Sequence, residues 1–221
     1  MSAGGGGALP DLAAGRLHTA VASDILDDLG HRDHVLDPAI RPLGIAAVIA
    51  GWANPFLVAE VDEIPADPYA GEIAALDDIS PGDVVLVAAG GSARAACWGE
   101  LFSTAARSRG ARGTLIDGYC RDAQAIAVLG YPVWCRGTLP LDAKGRTAVT
   151  AWRQPAVVGG LPVRPRDLVV ADADGALVVP AGLADETVGR ALEKVSKEGG
   201  VRDALAAGST LRSAYDRYGV L

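Results

Sequence analysis

The chain has 221 residues, of which half are hydrophobic and 21% are charged, and its formal net charge is −7. This length and composition are typical of one globular domain with a sizeable core. The negative charge excludes a basic surface for nucleic acid and argues against binding to a membrane surface. No stretch approaches the roughly 18 uncharged apolar residues of a membrane-spanning helix.

The glycine-rich start of the chain has neither the basic region nor the apolar core of a signal peptide. We therefore expect residues 1–15 to form a disordered tail before a single domain over residues 16–221. The three cysteines, Cys97, Cys120 and Cys135, form no CxxC pair. An odd number of cysteines without a secretion signal predicts reduced thiols and a cytoplasmic protein.

Apolar periodicity predicts a helix from Thr19 to Leu29, ended by Gly30. Apolar runs of strand length follow at 44–50 and 55–59. The acidic, proline-interrupted stretch from Glu60 to Pro81 contains one short helix-like segment, at 70–76.

An alternating pattern comes next, predicted as strand 83–88, helix 92–108, strand 113–117, helix 121–129 and strand 131–135. This β-α-β-α-β order predicts parallel strands with crossover helices, and therefore an α/β fold. Farther along, Asp172-Ala-Asp-Gly175 lies between apolar runs at 168–170 and 176–179 and predicts a β-hairpin. A last helix is predicted over 183–206, weakened at Gly199-Gly200.

The dipeptide Arg121-Asp122 follows the strand at 113–117 and opens a helix. A guanidinium binds a carboxylate or an oxyanion through two nitrogens, and a carboxylate is a suitable oxygen ligand for Mg²⁺. The alternative is that the pair is ordinary surface charge, since the helix dipole favours Asp in a first turn.

A second candidate acid, Glu100, lies in a run that we interpret as a glycine turn, Gly90-Gly91, leading into a helix capped by Ser92. Both strand-to-helix turns would then meet at the carboxyl ends of neighbouring strands. Open α/β sheets usually bind their ligands at that edge.

Two other chemistries find little support in the sequence. An imine mechanism needs a desolvated lysine, but Lys144 lies in a turn, and Lys194 and Lys197 lie on a charged helix face. His31 and His34 are interpreted as polar loop residues rather than as a metal site, because they lack an evident third ligand.

Eight segments match one known family in order: Ser23–Gly30, Ile40–Leu43, Pro81–Val85, Trp98–Phe102, Asp117–Asp122, Leu129–Val133, Arg136–Gly137 and Val163–Gly175. The chain resembles the regulators of ribonuclease E activity and their catalytic relatives. Those relatives are the 4-hydroxy-4-methyl-2-oxoglutarate/4-carboxy-4-hydroxy-2-oxoadipate aldolases, which are divalent-metal pyruvate aldolases. The resemblance covers roughly residues 16 to 210.

The resemblance implies a swivelling β/β/α domain and assigns roles to the candidate residues. It implies that Arg121 binds the pyruvyl carboxylate and that Asp122 is the one direct protein ligand of Mg²⁺ or Mn²⁺. The implied substrate-binding residues are Gly99, Glu100, Leu101, Phe102 and Arg121. Glu100 stands where the aldolases often have Asp, and its implied role is to position or deprotonate a metal-bound water.

The expected function is therefore a metal-dependent lyase that cleaves a 4-hydroxy-2-oxo acid to pyruvate, with oxaloacetate decarboxylation as a side activity. The resemblance also implies a homotrimer or hexamer. One alternative is a non-catalytic regulator that binds a ribonuclease or another protein, although retention of Asp122 favours catalysis. Another is a lyase or isomerase for a different hydroxy-keto acid, with the segment Pro65–Gly71 shaping specificity.

Overall fold

The computed structural model describes residues 8–13, 15–44 and 47–221. The helices are α1 (Ala8–Ala13), α2 (Thr19–Asp28), α3 (Ala70–Asp77), α4 (Glu100–Ser108), α5 (Ala123–Leu129), α6 (Ala184–Ala206) and α7 (Leu211–Tyr218). The strands are β1 (Arg41–Pro42), β2 (Ile49–Glu60), β3 (Asp83–Ala88), β4 (Ala96–Trp98), β5 (Gly113–Cys120), β6 (Val133–Thr138), β7 (Thr147–Trp152), β8 (Ala156–Val158), β9 (Leu161–Val163), β10 (Leu168–Ala171) and β11 (Ala176–Val179).

A mixed sheet with the strand order β1-β6-β5-β3-β2-β10-β11 organises the described part of the chain. Its central strands β2, β3, β5 and β6 are parallel, whereas β1, β10 and β11 are antiparallel to their neighbours. The short strand β4 pairs with the end of β5, and β7 pairs with β2. The predicted parallel unit followed by β-hairpins is therefore confirmed.

Strand β3 is buried on both faces, as its uninterrupted apolar sequence requires of a central parallel strand. Val85 and Val87 face a core shared with helices α3, α4 and α5. Val84 and Leu86 point the opposite way, into a core shared with the β8–β9 hairpin. The sheet is thus covered by helices on one face and by β-structure on the other, which is the predicted β/β/α layering.

The predicted hairpin and C-terminal helix are also present. Strands β10 and β11 pair as an antiparallel hairpin and share a core with α2 and α6. Helix α6 continues through Gly199 and Gly200. The ring of Tyr218 lies where a Cβ of Gly200 would be, at 2.5 Å, so this glycine permits α7 to pack closely against α6.

The two strands predicted at 44–50 and 55–59 are instead one strand, β2. Pro55 lies inside this strand although proline cannot donate a ladder hydrogen bond. On one edge, β2 pairs with β10 as far as Trp52 and with β7 from Phe56 onward. Pro55 therefore falls between two partner strands, where its missing N–H is tolerated.

The helix predicted over 92–108 begins only at Glu100. Gly90 and Gly91 both have positive φ, and the Ser92 hydroxyl donates to Glu60 at 2.6 Å rather than capping a helix. Strand β4 occupies part of the predicted helix, because Ala96–Trp98 pairs with the distant end of β5.

Part of the predicted tail is ordered. Ala8–Ala13 forms α1, and Ala13 is fully buried in the core shared with α2 and α6. Residues 1–7 and 14 of that predicted tail, and residues 45–46 of the predicted strand, lie outside the described residues. Within the described ranges, no helix has the length and apolarity needed to cross a membrane.

Candidate active site

Two strand-to-helix turns meet at one edge of the sheet, but the first is the β4–α4 turn at Gly99 and not the predicted turn at Gly90-Gly91. Strand β4 ends at Trp98 and leads through Gly99 into α4, while β5 ends at Cys120 and leads through Arg121 and Asp122 into α5. The backbone N–H of Arg121 donates to the Trp98 carbonyl at 2.9 Å, which joins the two turns.

A cleft of about 300 Å³ opens over these turns. It is lined by Tyr69, Ile73, Ala96, Trp98, Gly99, Leu101, Phe102, Arg121, Asp122, Asp142 and Ala143. The structure thus brings together Gly99, Leu101, Phe102, Arg121 and Asp122 from the predicted set. The cleft is also lined by Tyr69 and Asp142, which the sequence did not predict.

Asp122 occupies the left-handed region, with φ 60° and ψ 34°, at the start of α5. Aspartate tolerates this conformation better than most residues. Its Oδ2 atom accepts the backbone N–H of Glu100 at 3.2 Å and lies 3.6 Å from Nε of Arg121. The carboxylate is therefore held between the N-terminus of α4 and the guanidinium, where both stabilise its negative charge.

Gly99 allows the side chains of Arg121 and Asp122 to lie close to the backbone at the start of α4. A Cβ at this position would lie 2.7 Å from Oδ2 of Asp122 and 3.2 Å from Cγ of Arg121. The glycine backbone is extended, with φ −157°, so the constraint is side-chain volume rather than conformation.

The guanidinium of Arg121 is anchored on its other side. Its Nη1 atom donates to Oδ1 of Asp142 at 3.0 Å, and the Tyr69 hydroxyl donates to Oδ2 of the same carboxylate at 2.6 Å. Partial burial alone would raise the pKa of Asp142, but the Tyr69 hydrogen bond and the Arg121 charge bring it below its ordinary value. The bond to Asp142 raises the pKa of Tyr69, so this hydroxyl remains a donor at neutral pH.

The first turn of α4 supplies backbone donors. N–H groups in a first turn have no acceptor within the helix, and Leu101 and Phe102 both lie there and line the cleft. Phe102 packs edge-on against Trp98, with ring centroids 5.7 Å apart. The Trp98 indole donates to Ser103 at 2.8 Å, so this part of the apolar lining is held against α4.

Glu100 is placed differently from the other predicted residues. Its backbone N–H holds Asp122, but its carboxylate accepts the Thr104 hydroxyl at 2.7 Å, one helical turn along α4. The side chain lines a neighbouring open depression that it shares with Asp122. Glu100 therefore lies beside the cleft rather than inside it.

Tyr69 and Asp142 are the site residues that the sequence analysis did not identify. Tyr69 belongs to the segment Pro65–Gly71, to which a role in specificity was assigned. Asp142 has no sequence signal of its own, because it lies in the turn-like segment around Lys144. Asp142 is distant from Arg121 in the sequence, and the two residues meet only in the folded chain.

The remaining reactive side chains lie elsewhere. None of the lysines is among the residues that line the cleft, and Lys194 pairs with Asp24 at 2.6 Å. His34 is buried, with its ring nitrogens bonded to the Ser23 hydroxyl and the His31 carbonyl. Burial raises the pKa of the Cys120 thiol to about 12, so it is a packing residue rather than a nucleophile.

The fold and cleft define an α/β protein with an arginine–aspartate site at the carboxyl edge of its parallel strands. Residues 19–178 match the RraA-like family, described as Aldolase/RraA, and the chain belongs to this family. A relative from Halalkalibacterium halodurans, named "Putative 4-hydroxy-4-methyl-2-oxoglutarate aldolase", is 34% identical over 176 residues, which cover 80% of this chain and 79% of the relative.

Two solved structures extend the likeness to the whole fold. An uncharacterized protein from Pseudomonas syringae pv. tomato has a TM-score of 0.82 at 32% identity, with 94% of this chain and 96% of that chain covered. Streptomyces coelicolor RraAS2, described as an unusual member of the RNase ES inhibitor RraA protein family, has a TM-score of 0.79 at 33% identity, with 89% and 96% covered. The family thus includes proteins named for catalysis and proteins named for inhibition.

Proposed function

We propose that this protein is a divalent-metal-dependent lyase that cleaves a 4-hydroxy-2-oxo acid to give pyruvate and that also decarboxylates oxaloacetate. The observation that carries the proposal is the adjacency of Arg121 and Asp122 in a cleft that is also lined by Leu101 and Phe102 of the first turn of α4. The aldolase name of the Halalkalibacterium halodurans relative supports the same class of reaction.

The donor chemistry of the cleft fits Mg²⁺ or Mn²⁺. Mg²⁺ usually keeps several waters and takes only one or two carboxylates from a protein, and Asp122 offers such a carboxylate. No three His, Cys, Asp or Glu side chains within the described ranges group as an all-protein metal cage. Arg121, Asp122 and Asp142 together carry one excess negative charge, so an anionic substrate requires a compensating cation.

In the proposed reaction Arg121 binds the substrate carboxylate, and the N–H groups of Leu101 and Phe102 stabilise the oxygen on which negative charge develops. When bound at Asp122, the metal supplies Lewis-acid polarisation of the 2-oxo group. The C4 hydroxyl gives its proton to Glu100 or to solvent and C4 becomes the carbonyl carbon of the second product. The C3–C4 bond breaks, and its electron pair forms the enolate of pyruvate. Protonation at C3 then gives pyruvate. In oxaloacetate the bond to the departing CO₂ breaks instead, and its electron pair forms the same enolate.

The first test is metal dependence. Pyruvate release from oxaloacetate and from 4-hydroxy-4-methyl-2-oxoglutarate is expected to fall to background after EDTA treatment and to return with Mg²⁺ or Mn²⁺. A coupled pyruvate assay measures it. Full activity in the chelated protein, or a borohydride-trapped imine, would contradict the proposal.

The likeness to Streptomyces coelicolor RraAS2, a member of an RNase ES inhibitor family, favours one alternative, a regulator of a ribonuclease. A regulator needs no turnover, so its effect on a ribonuclease would be retained when the carboxylate of Asp122 is removed. Absence of pyruvate release, together with binding of a ribonuclease that persists in Asp122→Asn, would favour this alternative. Turnover of another hydroxy-keto acid alone would favour a different lyase or isomerase.

Glu100 is proposed as the acid that takes or returns a proton. Its carboxylate must first leave the Thr104 hydroxyl, and the open depression admits water that can partly replace it. Glu100→Gln is therefore expected to lower kcat about 10-fold, less than the loss of an enclosed general acid, with little change in KM. Steady-state kinetics measure both constants. Glu100→Asp should retain activity, and an unchanged kcat in Glu100→Gln would reduce Glu100 to a structural role.

Assembly into a homotrimer or hexamer is proposed as well. Apolar side chains on α4 and α5 are exposed in the single chain, with Leu101 74% and Val128 90% accessible. Apolar surface of this kind is often covered by a partner subunit. Light scattering at micromolar concentration is expected to give three or six times the chain mass, and a clean monomer would reject this expectation.

A further inference from the structure

One carboxylate joins three separate segments around the cleft. Asp142, in the turn after β6, binds Arg121 through one oxygen and Tyr69 through the other. Arg121 belongs to the β5–α5 turn, and Tyr69 immediately precedes α3. The position of the guanidinium therefore depends on two walls of the cleft and not only on its own turn.

The backbone of Tyr69 is held in an unfavourable conformation. Its φ is 69°, in the left-handed region, and it is one of four residues other than glycine with positive φ in the described chain. A bulky residue is strained there, and residues in such conformations cluster at functional sites. Asp122, which follows Arg121 and also lines the cleft, is another of the four. The fold thus places left-handed backbone at two of the residues around Arg121.

The contact is too exposed to act mainly as a stabiliser of the fold. The side chains of Arg121 and Asp142 are 38% and 36% accessible, and ion pairs at such exposure contribute little to folding free energy. The bond instead fixes an orientation. Nη1 of Arg121 donates to Asp142, and Nε faces Oδ2 of Asp122 at 3.6 Å, which is an ion pair without a direct hydrogen bond. Nη2 makes no hydrogen bond to any described residue, so it remains available for a ligand carboxylate.

We propose that Asp142 and Tyr69 are positioning residues that direct Nη2 of Arg121 toward the carboxylate of the 2-oxo acid. The inference rests on the proposed function, because it assumes that Arg121 binds this carboxylate. It assigns to Tyr69 a role that acts through Asp142, with no contact to the reacting atoms.

A competing account treats Asp142 only as a negative charge near the site. The two accounts predict opposite signs. Loss of a repulsive charge in Asp142→Asn would strengthen anion binding, whereas loss of positioning would weaken it. Tyr69→Phe is the sharper variant, because it removes the hydroxyl that holds Asp142 and leaves every formal charge unchanged.

The test measures binding of oxalate with Mg²⁺ by calorimetry, together with KM and kcat for oxaloacetate. Tyr69→Phe and Asp142→Asn are each expected to raise the oxalate Kd and the KM about 5-fold, the effect of one lost hydrogen bond, with kcat nearly unchanged. Arg121→Ala sets the upper limit of the effect. Matched controls are Tyr215→Phe and Asp77→Asn, an exposed tyrosine and an exposed arginine partner outside the cleft.

An alkaline absorbance titration checks that the bond exists in solution. Asp142→Asn is expected to lower the pKa of Tyr69, because the carboxylate that raises this pKa is gone. If Asp142→Asn does not fold, Tyr69→Phe alone decides. An unchanged Kd in Tyr69→Phe, or tighter binding in Asp142→Asn, would overturn the positioning inference while the wild-type activity upholds the proposed function. A wild-type protein that neither binds oxalate nor releases pyruvate would contradict both the positioning inference and the proposed function.

Discussion

Replacement of Asp122 by asparagine is expected to lower metal-dependent pyruvate release by more than about 100-fold. Loss of a residue that only supports a metal ligand can already cost up to about 100-fold, and Asp122 is proposed as a direct ligand. Asparagine keeps the shape of the side chain and tolerates the left-handed backbone at φ 60°. Its amide oxygen can still accept the Glu100 N–H. What it loses is the negative charge needed to hold a cation, so the turn should persist while the activity does not.

Asp122→Ala should be equally inactive but also less stable, because alanine is strained at positive φ and leaves the Glu100 N–H without its acceptor. Comparison of the two variants therefore separates chemistry from folding. Calorimetric titration with Mn²⁺ measures cation binding directly, and thermal unfolding measures the stability difference. If Asp122→Asn kept activity within a few-fold of wild type, Asp122 would be only a capping acceptor for α4.

The parallel core could be predicted because its signal is local and repeated. Strand β3 is continuously apolar, and α5 ends at a glycine with positive φ. The same logic placed Arg121 and Asp122 together, since consecutive residues after a strand share one turn. These features need no knowledge of distant contacts.

The rest of the site depends on contacts that short sequence windows do not contain. Ala96–Trp98 was assigned to a helix, and only its pairing with the end of β5 makes it a strand. The left-handed backbone of Tyr69 has no sequence signal, because tyrosine rarely adopts it. Asp142 meets Tyr69 from 73 residues away. The sequence therefore predicts the Arg121-Asp122 turn but not the contacts that Tyr69 and Asp142 make around it.

Replacement of Gly99 by alanine tests whether the separation of Arg121 and Asp122 matters. The new methyl group would lie 2.7 Å from Oδ2 of Asp122 and 3.2 Å from Cγ of Arg121, so at least one of these side chains must move. Displacements near 1 Å in a catalytic arrangement can cost about 100-fold in rate. We expect kcat/KM for oxaloacetate to fall by about that factor, with weaker oxalate binding.

Folding should be little affected, because the backbone of Gly99 is extended and any residue adopts it. Gly189→Ala is the matched control. It lies in α6, a Cβ there meets nothing within 4 Å, and alanine in a helix is favoured over glycine by up to about 1 kcal/mol. The control should therefore be slightly more stable and fully active. Wild-type kcat/KM in Gly99→Ala would mean that the reaction does not depend on the close approach of Arg121 and Asp122, and the chemistry would have to be sought elsewhere in the cleft.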